Sequence, residues 1–86
     1  MDTTQQKTHL AELAHDLEAQ SFRTELRETP KGPELVVANP QAARLTEQIR
    51  IEDGTFRWSW GQAIAPVDDK LLAVQYVARV LSAVED

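Results

Sequence analysis

The hydrophobic residues of the first segment follow a helical period. Four of them recur at the i, i+3, i+4, i+7 spacing that places side chains on one helix face: Leu10, Leu13, Ala14 and Leu17. This spacing predicts a helix over about residues 3–20, for which Asp2 or Thr3 can serve as N-cap. Because the apolar stripe is narrow, we expect the helix to cover a core on one side and to face water on the other.

The period changes to two after residue 21, which predicts a β-hairpin. Phe22, Thr24 and Leu26 alternate with charged residues, as in a half-buried strand. Residues 29–33 contain two prolines and a glycine and favour a turn, and residues 34–38 read as the second strand. Asn39-Pro40 is then typical of a helix start, with Asn39 as N-cap. We therefore expect a short helix over about residues 40–45.

A second hairpin is predicted around Asp53-Gly54, a dipeptide that favours a two-residue type I′ turn between strands 46–52 and 55–62. This turn fixes the register, because each residue before it faces one residue after it. The expected pairs are Glu52–Thr55, Ile51–Phe56, Arg50–Arg57, Ile49–Trp58, Gln48–Ser59 and Glu47–Trp60.

The C-terminal segment returns to a helical period after an irregular exit segment at residues 61–66. Asp68 is the expected N-cap, and the helix is predicted to continue to about residue 84. Its expected core stripe consists of Ala73, Tyr76, Val77, Val80 and Val84. Residues 1–86 are thus predicted to form a single α+β domain of order α-β-β-(short α)-β-β-α. A four-stranded antiparallel sheet of two hairpins carries the N- and C-terminal helices on one face.

Composition narrows the classes of partner. Nine Lys and Arg against fourteen Asp and Glu give the 86-residue chain a formal net charge of −5, so we expect no nucleic-acid partner. No apolar run approaches the roughly 20 residues that cross a bilayer, so no membrane partner is expected either. Because the chain has no cysteine, disulfides and thiolate metal sites are excluded, and a cytoplasmic, reducing location is the expectation.

Nothing in the sequence indicates catalytic, cofactor-binding or metal-binding residues. His9 and His15 lie six residues apart on the first helix and point roughly 240° away from each other, so they do not converge on a metal. Asp68 and Asp69 are explained as residues of a helix start. With no GxSxG elbow and no glycine-rich phosphate loop, we expect a protein that is not an enzyme and has no cofactor.

Phe56, Trp58 and Trp60 form the most conspicuous aromatic stripe of the chain. We interpret it mainly as the core face of the sheet, packed beneath the helices. Trp60 differs because it lies next to Gly61, at the expected margin of the helical cover. There its indole N–H can reach a polar group, and its ring can join a recognition site.

Arg50 and Arg57 are expected to oppose each other on the outer face of the sheet, which Arg23 and Arg27 share. Directly opposed like charges are unfavourable without a compensating anion. Neighbouring glutamates can neutralise the face, in which case it is an ordinary solvated surface. Otherwise Arg50 and Arg57, with Trp60 at their margin, form a candidate face for a ligand or a client protein.

The last helix has more apolar surface than a small sheet can cover. Beyond its core stripe, four further residues extend the apolar arc around the cylinder: Leu71, Val74, Ala78 and Leu81. That arc exceeds the roughly 100° of an ordinary surface helix. These residues pack either against the first helix or against another molecule. The second alternative predicts a self-association surface, in a symmetric dimer.

The chain shows two resemblances, one in sequence and one in the expected order of its elements. Residues 35–40 (LVVANP), 56–61 (FRWSWG) and 64–69 (IAPVDD) resemble small uncharacterised actinobacterial proteins in which a Trp-Ser-Trp-Gly strand precedes a final helix. That likeness covers most of the chain from Ser21 onward and implies no activity. The expected element order is also similar to that of type III secretion chaperone-like adaptors. Those are small acidic dimers that hold client proteins, and the likeness is one of fold alone.

The sequence therefore leaves two hypotheses of function. The first is a non-enzymatic protein-interaction domain, adaptor-like or chaperone-like, that acts as a homodimer and binds another protein. The alternative is a regulatory domain that binds a small ligand or an anion through the arginine-bearing face of the sheet.

Overall fold

The computed structural model describes residues 2–82, apart from the side chain of Ala43. This part of the chain forms an α+β fold with two helices and one antiparallel sheet. In chain order its elements are α1 (Thr3–Glu18), β1 (Arg23–Thr29), β2 (Gly32–Asn39), β3 (Ala42–Glu52), β4 (Thr55–Trp58), β5 (Ala63–Pro66) and α2 (Lys70–Val80). The predicted end of the last helix, together with Val84 of its core stripe, lies outside the described residues.

Helix α1 confirms the prediction made from its leucine spacing. The Asp2 side chain accepts a hydrogen bond of 2.8 Å from the backbone N–H of Gln5 and so caps the first turn. Leu10, Leu13 and Leu17 are fully buried. The helix ends at Glu18, two residues earlier than expected, because the chain turns sharply there to enter β1.

The sheet has five strands rather than the predicted four, in the spatial order β1-β2-β3-β4-β5. Every neighbouring pair is antiparallel, so the strands follow one another as a simple meander. Strands β1 and β5 are therefore the two edges of the sheet.

The short helix predicted after Asn39 is wrong, because the chain makes a tight turn there and β3 begins at Ala42. The Asn39 side-chain oxygen does accept a hydrogen bond, of 2.8 Å, from the backbone N–H of Gln41. That contact closes an Asx turn rather than a helix N-terminus. The side-chain amide of Asn39 also donates to the Leu81 carbonyl oxygen at 2.8 Å, which ties the turn to the end of α2.

The hairpin around Asp53-Gly54 is confirmed. Both turn residues have positive φ, 54° for Asp53 and 69° for Gly54, as a type I′ turn requires. The observed pairs are Glu52–Thr55, Ile51–Phe56, Arg50–Arg57 and Ile49–Trp58. Beyond them, the Ser59 N–H donates to the Gln48 carbonyl oxygen at 2.9 Å.

The exit segment predicted at residues 61–66 is corrected by the structure, since its last four residues form strand β5. Gly61, with φ of 103°, allows the chain to fold back directly after β4. Phe56 then pairs with Ala65, and Thr55 pairs with Pro66. Because the turn begins at Ser59, the expected strand pairing of Glu47 with Trp60 is absent from the described ladder.

Helix α2 begins one residue later than predicted. Its N-cap is Asp69 rather than Asp68, and the Asp69 carboxylate accepts a hydrogen bond of 3.1 Å from the Leu72 N–H. Leu72, in the first turn of the helix, is 44% accessible to solvent.

The hydrophobic core lies between the two helices and one face of the sheet, here called the core face. Helix α1 packs on β1, β2 and β3, and α2 packs on β5. The buried core consists of Leu10, Leu13, Leu17, Leu35, Val37, Ile49, Ile51, Phe56, Trp58, Ile64, Ala65, Val67, Ala73, Val74, Val77 and Leu81. The opposite face of the sheet, here called the open face, carries alternating side chains that are half-buried or exposed.

Candidate functional site

The two predicted arginines do oppose each other on the open face, and the structure shows how they are accommodated. Arg50 Nη2 donates to the Ser59 carbonyl oxygen at 3.2 Å, and Arg57 Nη1 donates to the Gly61 carbonyl oxygen at 3.0 Å. Both guanidinium groups thus brace the turn between β4 and β5. Arg57 Nε is buried and has no hydrogen-bond partner among the described residues.

The other two arginines of the open face lie on β1, away from this pair. Arg27 Nε is 3.6 Å from a carboxylate oxygen of Glu34 on β2. Arg23 is exposed at the opposite end of the strand. Among the described residues, the structure gives Arg50 and Arg57 no carboxylate within 4.0 Å, so the neutralisation expected from neighbouring glutamates is seen only for Arg27.

Trp60 lies in the turn after β4 and faces the helices rather than the open face. Its ring stacks on that of Trp58, with centroids 5.2 Å apart and the planes 9° from parallel. Trp58 is buried, whereas 54% of Trp60 remains accessible to solvent. Trp60 therefore lies at the edge of the core, and the two arginines bind the carbonyl oxygens of the residues on either side of it in the chain.

A chain of hydrogen bonds connects Trp60 to α2. Its indole N–H donates to the Gln62 side-chain oxygen at 3.3 Å, and the Gln62 amide donates to the Tyr76 hydroxyl at 3.3 Å. The expectation that the indole finds a polar group is met by Gln62. The contact fixes the position of a large ring that would otherwise rotate freely at the surface.

The exposed apolar side chains of α2 next to this contact form one stripe. Leu72, Tyr76 and Val80 have the i, i+4, i+8 spacing of a single helix face. Leu72 and Val80 are 44% and 40% accessible, and Tyr76 is half-buried. These three residues and Trp60, which is linked to Tyr76 through the Gln62 side chain, are here called the Trp60 surface. The sequence placed Tyr76 and Val80 in the core. Tyr76 is half-buried and packs against it, whereas Val80 is exposed, because the rotation of α2 about its axis cannot be read from spacing alone.

The four residues predicted for self-association do not share one exposed face. Val74 and Leu81 are buried in the chain's own core, and Ala78 is half-buried. Leu71 is 70% accessible, and it lines a shallow groove between the helices together with Asp16, Ala19 and Gln20. Two of the four residues, Val74 and Leu81, are therefore buried by the packing of α2 within the same chain.

One polar cluster between the helices was not predicted. Lys70 Nζ lies 3.0 Å from a Glu12 carboxylate oxygen, 3.0 Å from His9 Nδ1 and 3.0 Å from the Val67 carbonyl oxygen. The Lys70 ammonium lowers the pKa of Glu12 from its ordinary value, first through their hydrogen bond and then through charge attraction. The contact joins residues about 60 positions apart in the chain, so no local sequence pattern signals it.

This cluster borders a shallow depression of about 550 Å³ on the surface of α1, lined also by Thr8, Ala11, His15 and Asp16. It does not resemble a metal site, since no three His, Asp or Glu side chains in residues 2–82 are placed to hold an ion. We interpret the cluster of Lys70, Glu12 and His9 as a polar bridge between the two helices.

Within residues 2–82, no helix is long and apolar enough to span a membrane.

Comparisons of the chain with protein-family models, with curated proteins and with solved structures found no match. Any function assigned to the chain therefore rests on the geometry of its own residues.

Proposed function

We propose that this chain is a non-enzymatic protein-interaction domain that binds a client protein through the Trp60 surface. The observation that carries the proposal is the half-exposed Trp60 ring, stacked on the buried Trp58. A tryptophan held in one orientation loses little conformational entropy on binding. This is a reason why tryptophans are enriched among residues that dominate binding energy.

The surroundings of Trp60 support an apolar partner. Leu72, Tyr76 and Val80 extend the exposed apolar area along α2, and Gln62 supplies a polar contact between them and Trp60. A client segment that presents apolar side chains at helical spacing fits such a stripe, because both then repeat at similar intervals. We expect this binding to take place in the cytoplasm, in keeping with a chain that contains no cysteine.

Two adjacent leucines provide a matched test of this surface. Leu72→Glu places a charge within the Trp60 surface, whereas Leu71→Glu places the same charge on another face of the same helix. A client captured by the wild-type protein from its native host, and then purified, is titrated against both variants by calorimetry. We expect Leu72→Glu and Trp60→Ala each to raise the dissociation constant by about thirtyfold or more, and Leu71→Glu to leave it unchanged. Equal affinity for all the variants would contradict the proposed surface.

A second candidate function is anion binding by Arg50 and Arg57. The observation that favours it is the direct opposition of two guanidinium groups that have no carboxylate within 4.0 Å in the described residues. An anion between them would relieve their mutual repulsion. Their hydrogen bonds to Ser59 and Gly61 already occupy some of their donors, which is why we rank this function second.

A thermal-shift series with phosphate, sulfate and small carboxylates separates the two functions. Saturable stabilisation that is lost in Arg50→Ala, but retained in Arg23→Ala on the same face, would favour anion binding. The protein-interaction proposal expects no such stabilisation with any of these anions.

A further inference from the structure

Strand β1 is an open edge of the sheet that can accept another strand. It has seven residues, pairs only with β2, and is exposed along most of its length. An edge strand directs the backbone N–H and C=O groups of alternate residues away from the sheet, where they remain available for pairing. The other edge differs, because β5 has only four residues and ends at Pro66, which has no N–H to donate.

The charges of β1 are complementary to a second copy of the same strand. If two copies pair antiparallel about a two-fold axis at Leu26, then Glu25 of each copy lies opposite Arg27 of the other. Leu26, which is 40% accessible, lies opposite its own copy. Every charged contact next to the axis is then attractive, and each occurs twice.

Moving the axis by one residue in either direction removes this complementarity. Moving the axis to Glu25 places that glutamate opposite its own copy, and moving it to Arg27 does the same with arginine. Like charges directly opposed across strands are destabilising. An axis at Thr24 also brings unlike charges together, Arg23 opposite Glu25. The charges of β1 therefore favour the Leu26 and Thr24 registers, and the contacts of α1 with β1 distinguish between them.

The contacts between α1 and β1 are centred on the same strand residue, Leu26. Lys7 pairs with Glu28, and Glu18 accepts a hydrogen bond from the Thr24 hydroxyl, so these two residues lie on the flank of α1 beside β1. The midpoint of the two contacts falls at Leu26 on the strand and between residues 12 and 13 on the helix.

The residues on this flank of α1 recur at spacings of four, three and four: Lys7, Ala11, Ala14 and Glu18. About the same midpoint, an antiparallel copy places Lys7 opposite Glu18 and Ala11 opposite Ala14. The two alanines leave room for two helices at the usual separation of about 8–10 Å. Strand and helix therefore point to one axis.

We propose that a second copy of this chain adds to β1 in antiparallel register about Leu26. The two five-stranded sheets then form one continuous sheet, with both α1 helices side by side on the core face. This interface lies at the other edge of the sheet from Trp60 and does not depend on client binding. It assigns self-association to β1 and α1, whereas the sequence had suggested α2.

Charge exchange across the axis tests the proposal. Light scattering on the wild-type protein should give twice the chain mass of 9.7 kDa, falling towards that mass on dilution. Glu25→Arg places arginines opposite Arg27, and Arg27→Glu places glutamates opposite Glu25. Each variant alone should raise the dimer dissociation constant by at least about tenfold, because two equivalent contacts change from attraction to repulsion. An equimolar mixture of the two variants should recover the dimer, since every contact near the axis is then complementary.

Controls keep a negative result interpretable. Glu52→Arg makes the same charge change on β3, away from the edge, and should leave the dimer intact. Circular dichroism checks that each variant is folded. Because Arg27 also faces Glu34, Leu26→Lys serves as a second interface variant that places two like charges on the axis itself.

Two results would overturn the proposal. One is a wild-type protein that keeps the mass of a single chain at every concentration. The other is a dimer that survives Glu25→Arg, Arg27→Glu and Leu26→Lys alike, which would assign self-association to another surface. A dimer sensitive to Leu71→Glu alone would specify α2. Trp60→Ala should leave the mass unchanged, so the failure of client binding is distinguishable from the failure of the dimer.

Discussion

The two edges of the sheet are built differently. The β1 edge is long and polar, and its charges alternate in sign along a strand that pairs on one side only. The β5 edge is short, ends in proline, and adjoins the apolar Trp60 surface. Backbone pairing with a partner suits the first edge, and side-chain packing against a partner suits the second. One small sheet therefore has two edges, on opposite sides, that are suited to different kinds of contact.

The largest expected effect on stability comes from removing the platform beneath Trp60. Trp58→Ala should lower the free energy of unfolding by about 3–5 kcal/mol, because it opens a cavity in the hydrophobic core. Chemical denaturation measures the change. Leu71→Ala, at a 70% accessible position, is the control and should stay within about 0.5 kcal/mol of wild type. A loss below about 1 kcal/mol for Trp58→Ala would contradict its place in the core.

The contact between the Asn39 turn and α2 should have the next largest effect. Asn39→Ala removes both the Asx turn and the hydrogen bond to the Leu81 carbonyl, at a cost of about 1–3 kcal/mol in denaturant unfolding. Asn39→Asp is the matched variant, since it keeps the acceptor for Gln41 and replaces the donor to the Leu81 carbonyl with a carboxylate oxygen. It should fall between wild type and Asn39→Ala, and a loss equal to that of Asn39→Ala would assign the whole effect to the contact with α2.

Asn39 also shows why part of the fold was mispredicted. An Asx turn and a helix N-cap share one hydrogen bond, from a backbone N–H two residues on to the side-chain oxygen. The sequence identified that contact correctly but not the direction of the chain after it. Asp53-Gly54 was predictable because its two positive φ values and the two-residue loop admit few alternatives.

The site was less predictable than the fold because it depends on the rotation of α2 and on contacts between distant residues. The sequence shows that Val74 and Leu81 are apolar residues. Only the packing of α2 shows that they are buried in the core of the same chain. The exposed position of Trp60 depends on the turn at Gly61, which removes Trp60 from the strand. Lys70 and Glu12 approach each other only through the tertiary fold.

Trp60 itself should contribute little to stability. Trp60→Ala loses a stacking contact worth about 0.5–1.5 kcal/mol, and 54% of Trp60 is already accessible to solvent. The comparison of Trp60→Ala with Trp58→Ala in the same denaturation experiment tests the division between binding residue and core residue. Equal losses for the two variants would place Trp60 in the core and leave the Trp60 surface without its anchor.

The smallest effect expected is a change in the pH dependence of stability. Lys70 lowers the pKa of Glu12 in the folded chain, so the contact stabilises the fold above the unfolded-state pKa and is lost as pH falls through the folded-state pKa. Glu12→Gln should therefore flatten the acid limb of a plot of unfolding free energy against pH. It should leave the limb above neutral pH parallel to that of wild type. An acid limb of unchanged slope would show that the ion pair is not formed in solution.

Amide hydrogen exchange on the two edge strands tests the difference between them most directly. In a dimer that pairs through β1, the amides of Arg23–Thr29 that point away from β2 should exchange slowly, and Arg27→Glu or dilution should accelerate them. The unpaired amides of Ala63–Pro66 should exchange rapidly under all these conditions. Equally rapid exchange at both edges, unaffected by dilution or by the charge change, would contradict the account.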